Sequence, residues 1–136
     1  MACPFFYATN PAEPRGPGHP QMPLGDLYEG ECRAAPEGYH PGPEELRNLC
    51  NLGYARTSCP RFPAGAGPDA VRFSVASDAQ ETFQIRYVEE REHRPFAHGC
   101  LEYHVGLKKF VPPHADPLVN RLAEAYAEAY LRSARP

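Results

Sequence analysis

Cysteine is the residue type with the most specific chemistry in this 136-residue chain, and four of its five cysteines lie in the first half. Cys3, Cys32, Cys50 and Cys59 are separated by 28, 17 and 8 residues. Cysteine thiolates bind zinc and iron–sulfur clusters. Structural zinc sites usually contain cysteines two to four residues apart, and this sequence contains no such pair. The spacing therefore favours an iron–sulfur cluster over zinc.

The residues that flank these cysteines also suit a cluster. Cys3-Pro4 and Cys59-Pro60 are cysteine–proline pairs, like the one that ends the ligand run of bacterial ferredoxins. Aromatic side chains near a cluster exclude water and so influence its potential. Five of them lie within a few residues of a cysteine: Phe5, Phe6, Tyr7, Tyr54 and Phe62. We therefore predict a [4Fe–4S] cluster as cofactor, with Cys3, Cys32, Cys50 and Cys59 as its metal ligands.

The predicted function is one-electron transfer or redox sensing, with another protein as redox partner. A structural zinc site in a protein-interaction module is an alternative, because it also uses four thiolates. A cysteine-dependent enzyme is a second alternative, since Arg56 and Arg61 beside Cys59 would favour its thiolate. No base is placed beside any cysteine by the sequence, so no catalytic residue is assigned. Inert buried thiols are a third interpretation, because free cysteine is often buried.

The fifth cysteine, Cys100, is expected on a different surface. It precedes Leu101 in an alternating segment, so its side chain should point away from the buried face, together with His98. A polar, solvent-facing strand surface is the simpler interpretation, because antiparallel sheets commonly have one wet face. Cys100 would replace Cys3 as ligand only if the N-terminus frays.

Composition excludes several classes of protein. The net charge is −3 and only Lys108 and Lys109 are adjacent basic residues, so nucleic-acid binding is not expected. No apolar run approaches the roughly 20 residues that span a bilayer, and the first residues do not form a signal peptide. We expect a cytoplasmic protein with reduced thiols, because disulfides are rare there and five is an odd number. The sequence does not indicate an oligomeric state.

Residues 69–136 have the pattern of a small antiparallel sheet followed by a helix. Apolar residues alternate with polar ones in three segments, around Phe73, Ile85 and Tyr103, which predicts three strands. The short connection at residues 78–80 predicts a hairpin between the first two. Residues 89–99 are expected to form a loop to the third. Asp116 and Pro117 predict the start of a helix over residues 117–132 that covers the sheet.

Residues 1–68 contain 12 of the 17 prolines and 9 of the 11 glycines, and little periodicity. One short helix is predicted at about 43–52, beginning at Pro43 and ending before Gly53. We expect this half to be irregular and held together by metal, because metal-binding free energy becomes folding free energy. The predicted fold class is therefore α+β in a single domain, 1–136. It combines a three-stranded antiparallel sheet and C-terminal helix with an irregular, metal-binding N-terminal half.

Four short strings in the sequence suggest a wider relationship. The strings MACPFF, PLGDLYEGEC, CNLGYARTSCPRFP and DAVRFSV together resemble small bacterial proteins that carry four cysteines in these positions. The resemblance covers most of the chain. It implies the four N-terminal cysteines as the functional set, without Cys100, and it implies no activity, since these proteins are uncharacterised.

Overall fold

The computed structural model describes residues 1–12, 22–65 and 67–134. The N-terminal half contains a two-stranded antiparallel sheet formed by β1 (Phe6–Pro11) and β2 (Tyr28–Cys32). Phe6 and Ala8 alternate with more exposed residues and are buried, as in a strand with one core face. Gly30 permits the pairing, because a Cβ at this position would overlap the Tyr7 carbonyl oxygen and the Phe6 ring.

Two short helical segments follow. α1 (Pro43–Glu45) begins at Gly42 and continues directly into a π-helix, Leu46–Asn51. α2 (Ala55–Ser58) is a single turn. Gly53 separates them with a φ of +98°, a backbone conformation that side-chain-bearing residues rarely adopt. The helix predicted at about 43–52 therefore occupies the expected residues, but most of it has π geometry.

The larger sheet has four antiparallel strands in the order β3–β4–β5–β6. They are β3 (Ala70–Asp78), β4 (Thr82–Arg91), β5 (Arg94–His104) and β6 (Lys109–Phe110). The predicted hairpin between the first two is confirmed. The prediction of a loop over residues 89–99 is wrong, because β4 and β5 pair as far as Arg91 and Arg94. Glu92 and His93 form the turn, with φ values of 52° and 62°.

The C-terminal helix α3 (Pro117–Ala134) joins the two sheets. Its predicted start is confirmed, because the Asp116 Oδ1 atom accepts a hydrogen bond of 2.9 Å from the Leu118 N–H. On one side, Phe73 of β3 packs against Tyr126 at a ring-centroid distance of 5.7 Å. On the other, the Tyr28 hydroxyl of β2 donates to the Ala125 carbonyl oxygen at 2.6 Å. Buried residues of both halves form one apolar cluster.

The prediction of a single three-stranded sheet is therefore wrong, although the α+β class is correct. The short strand β6 adds a fourth strand to the larger sheet, and β1 and β2 form a second sheet in the half expected to be irregular. Backbone pairing thus supplies that half with hydrogen bonds that sequence periodicity did not indicate. Among the described residues, no helix has both the length and the apolar character required to cross a membrane.

Candidate metal centre

The four N-terminal cysteines lie on four different segments. Cys3 precedes β1, Cys32 ends β2, Cys50 lies in the π-helix, and Cys59 follows α2. Cys50 is buried, with 8% of its surface exposed, and the other three are partly exposed. All are free thiols. Each candidate ligand therefore belongs to a different element. Cys50 lies within its helix, and the other three lie at or near the end of a strand or helix.

Backbone hydrogen bonds tie three of these segments together. The Cys3 N–H donates to the Cys50 carbonyl oxygen at 3.0 Å. The Arg33 N–H, next to Cys32, donates to the Phe5 carbonyl oxygen at 2.8 Å. These bonds place the N-terminal turn between the π-helix and the end of β2. They also restrain Cys3, so the fraying that would have favoured Cys100 as a substitute ligand is opposed.

Asn51 fixes the π-helix to β2. Its side chain is fully buried and makes three hydrogen bonds. The amide nitrogen donates to the Tyr28 carbonyl oxygen at 2.9 Å and to the Leu46 carbonyl oxygen at 2.8 Å. The amide oxygen accepts from the Tyr28 N–H at 2.9 Å. Asn51 thus pairs with Tyr28 as a strand would, and it holds the adjacent Cys50 in place.

The pKa values of Cys3 and Cys50 indicate which other thiols lie in their neighbourhood. The pKa of Cys50 is raised to about 12, chiefly by burial and in smaller part by the nearby Cys3, Cys32 and Cys59. Burial also raises the pKa of Cys3 to about 12, again with contributions from Cys32 and Cys59. These effects require the sulfurs to be near one another, because charge interactions weaken with distance. The structure therefore brings all four predicted ligands into one region.

The surroundings of Cys3 contain groups that favour a charged sulfur. The backbone N–H groups of Phe5 and Phe6 act on this thiol in the sense opposite to burial, and lower its pKa. The Phe5 ring meets the Phe62 ring edge-on, with a centroid distance of 5.3 Å. Since Phe62 lies three residues after Cys59, this contact joins the Cys3 and Cys59 segments.

The arginines beside Cys59 are engaged with other groups. Arg56 forms an ion pair with the buried Asp69, and its guanidinium lies 4.8 Å from the centroid of the Phe62 ring. Arg61 binds Glu45, with 2.9 Å between Nη1 and Oε2. The two cations therefore connect the Cys59 segment to its neighbours through Asp69 and Glu45. Neither contact places a base beside Cys59, and a Cys59 nucleophile would need one.

Cys100 lies apart from this region. It is exposed on β5, as its alternation with Leu101 predicted, and it sits opposite Arg86 of β4. Its charge contributes to the raised pKa of Tyr87. The raised pKa values of Cys3 and Cys50 instead arise from burial and from contributions that include Cys32 and Cys59. On the same face, His104 and Glu102 form a pair with an Nε2–Oε2 distance of 3.0 Å.

Residues 1–12, 22–65 and 67–134 contain no group of three or more histidine, cysteine, aspartate or glutamate side chains that could hold a metal ion as arranged. The four cysteine segments lie in one region, but their side chains do not form such a group in this structure. Sequence reasoning identified the cysteines but missed two residues that organise them, Asn51 and Glu45. The available signal for Glu45 was its place in the first turn of α1, where its carboxylate accepts a bond from the Gly42 N–H.

The chain matches no protein-family model, no curated protein and no solved structure.

Proposed function

We propose that this protein binds a [4Fe–4S] cluster through Cys3, Cys32, Cys50 and Cys59, and uses it for electron transfer or redox sensing. The observation that supports the proposal is that contacts between the four cysteine segments, which lie up to 56 positions apart in the sequence, place them in one region: the Cys3–Cys50 backbone bond, the Arg33–Phe5 backbone bond beside Cys32, and the Phe5–Phe62 ring contact near Cys59. Four cysteine thiolates are the usual ligand set of such a cluster.

The donor set fits the group in three respects. Cys3 and Cys50 are desolvated by burial, the Phe5–Phe62 contact joins the Cys3 and Cys59 segments, and the backbone N–H groups of Phe5 and Phe6 favour a charged Cys3 sulfur. Hydrogen bonds to sulfur and solvent exclusion both tune cluster potentials.

The chain's own residues would do the following work. Cys50 and Cys3 would lose their protons on binding, because thiolates are the ligands, and their raised pKa values make that release costly without metal. Asn51 and the Cys3–Cys50 backbone bond would keep the segments in register. When bound, the cluster would supply a one-electron carrier. A reducing compartment such as the cytoplasm suits this chemistry, since thiolate ligands must stay unpaired.

Ligand replacement tests the proposal. Metal-free protein would be reconstituted without air using ferrous iron and sulfide, and bound iron and visible absorption would be measured. We expect Cys50→Ser and Cys59→Ser to bind less than a tenth of the wild-type iron, and the matched control Cys100→Ser to bind the wild-type amount. Equal iron in all three variants would contradict the ligand set. Zinc binding by the wild type, with no iron, would favour the structural zinc alternative.

A further inference from the structure

Glu45 connects three of the cysteine-bearing segments. Its Oε1 atom accepts a hydrogen bond of 2.7 Å from the Tyr39 hydroxyl, and its Oε2 atom lies 2.9 Å from Arg61 Nη1. Arg61 in turn lies over the Tyr39 ring, with its guanidinium carbon 3.5 Å from the centroid. Tyr39, Glu45 and Arg61 therefore form a closed triad, which we call the Glu45 clasp.

Each member of the clasp belongs to the segment of a different cysteine. Tyr39 exchanges two backbone hydrogen bonds with Cys32, of 2.7 and 3.0 Å. Glu45 lies in the first turn of the helical stretch that contains Cys50, and its charge is close enough to contribute to the raised pKa of that thiol. Arg61 lies two residues after Cys59. The clasp thus lies at the surface of the protein and joins the segments of Cys32, Cys50 and Cys59, of which Cys32 and Cys59 are partly exposed.

We propose that Glu45 is a positioning residue for the four-cysteine site, which holds Cys32 and Cys59 against Cys50 through Tyr39 and Arg61. This inference rests on the proposed function. Glu45 does not contact the metal in this account, and it acts through the segments that it joins. Outer-shell partners of metal ligands typically contribute about 10–100-fold to metal affinity.

The variants separate the arms of the clasp from the ordinary helix-start role of Glu45. Glu45→Gln preserves the bond to the Gly42 N–H, because glutamine also serves in a capping box, but its amide cannot pair with Arg61 as a carboxylate does. Tyr39→Phe removes only the hydroxyl and leaves the ring beneath Arg61. Glu44→Gln is the matched control, because Glu44 lies in the same helical turn and is exposed.

The experiment measures iron release from reconstituted protein to a chelator, without air, alongside the free energy of unfolding of the metal-free forms. We expect release about tenfold faster in Glu45→Gln and Tyr39→Phe than in wild type, with the Glu44→Gln rate unchanged. Equal release rates in all four proteins would overturn the inference, as would a rate that follows only the loss of unfolding free energy.

A second readout keeps the clasp testable if wild type binds no iron, a result that would refute the proposed function by itself. Metal-free protein would be alkylated with iodoacetamide, and each cysteine followed by mass spectrometry. We expect Cys32 and Cys59 to react several times faster in Glu45→Gln and Tyr39→Phe, with Cys100 unchanged as the internal control. Unchanged rates at Cys32 and Cys59 would overturn the positioning role independently of any metal.

Discussion

Replacing Asn51 with alanine should destabilise the protein strongly, because this buried side chain makes two hydrogen bonds to Tyr28 of β2 and a third to Leu46 within the π-helix. The substitution leaves the Tyr28 N–H, the Tyr28 carbonyl and the Leu46 carbonyl without their partner. A buried polar group that loses its partner costs about 1–3 kcal/mol. Water entering the vacated space would restore part of this, so we expect a net loss of about 3–5 kcal/mol.

The assay is urea unfolding of the metal-free, reduced protein, followed by far-ultraviolet circular dichroism. Asn48→Ala is the matched control, because Asn48 is an exposed asparagine in the same π-helix, and we expect a change within about 0.5 kcal/mol. Asn51→Asp provides a second variant, since it keeps an acceptor for the Tyr28 N–H but places negative charge against two carbonyl oxygens. A loss below about 1 kcal/mol for Asn51→Ala would refute this reasoning.

Two further predictions concern burial at the site and close packing in the small sheet. Raising the pH from 9 to 12 should destabilise metal-free protein, because thiols of the unfolded chain ionise near 9.0 while Cys3 and Cys50 stay protonated until about 12. At pH 10 we expect a loss of about 1 kcal/mol from each thiol after allowing for solvent screening. In urea titrations at pH 9 and pH 10, a Cys3→Ser/Cys50→Ser protein should lack this part of the dependence and keep the part due to tyrosines whose pKa values burial also raises, such as Tyr28 and Tyr103. Gly30→Ala should cost about 1–3 kcal/mol by overpacking against the Tyr7 carbonyl. Thermal unfolding of both variants would measure this cost, with Gly106→Ala as the control. Gly106→Ala should be nearly neutral, because no non-neighbouring atom lies within 4 Å of its added Cβ. Equal losses of stability in the two variants would contradict the packing argument.

Alternation predicted the strands of the C-terminal half because one face of each is buried. Phe83 and Ile85 in β4 and Leu101 and Tyr103 in β5 point into the core, and their spacing states this directly. The turn between these strands was missed because Glu92 and His93 adopt positive φ angles without glycine or asparagine, the residues that normally mark such hairpins.

The N-terminal sheet was missed for a different reason. β2 contains Gly30 and two glutamates in five residues, a composition that favours a loop. Its pairing depends on tertiary contacts, namely the Phe6 ring that approaches Gly30 and the Asn51 amide that bonds both backbone groups of Tyr28. No local pattern encodes contacts between residues more than 20 positions apart.

The candidate site shows the same division. Their position in the proline-rich first half grouped Cys3, Cys32, Cys50 and Cys59 as a set. Alternation with Leu101 separated Cys100 from them. The segments that hold them were expected to depend on metal, yet backbone bonds, Asn51 and the Glu45 clasp already join them. Metal binding would add its free energy to that of these contacts.

The most direct test of the central claim is metal analysis of the protein purified without exposure to air, with iron, zinc and acid-labile sulfide measured together with the visible spectrum. We expect a brown protein with roughly four irons and four sulfides per chain, and a spectrum that bleaches on reduction with dithionite. A folded, colourless protein without iron would contradict it.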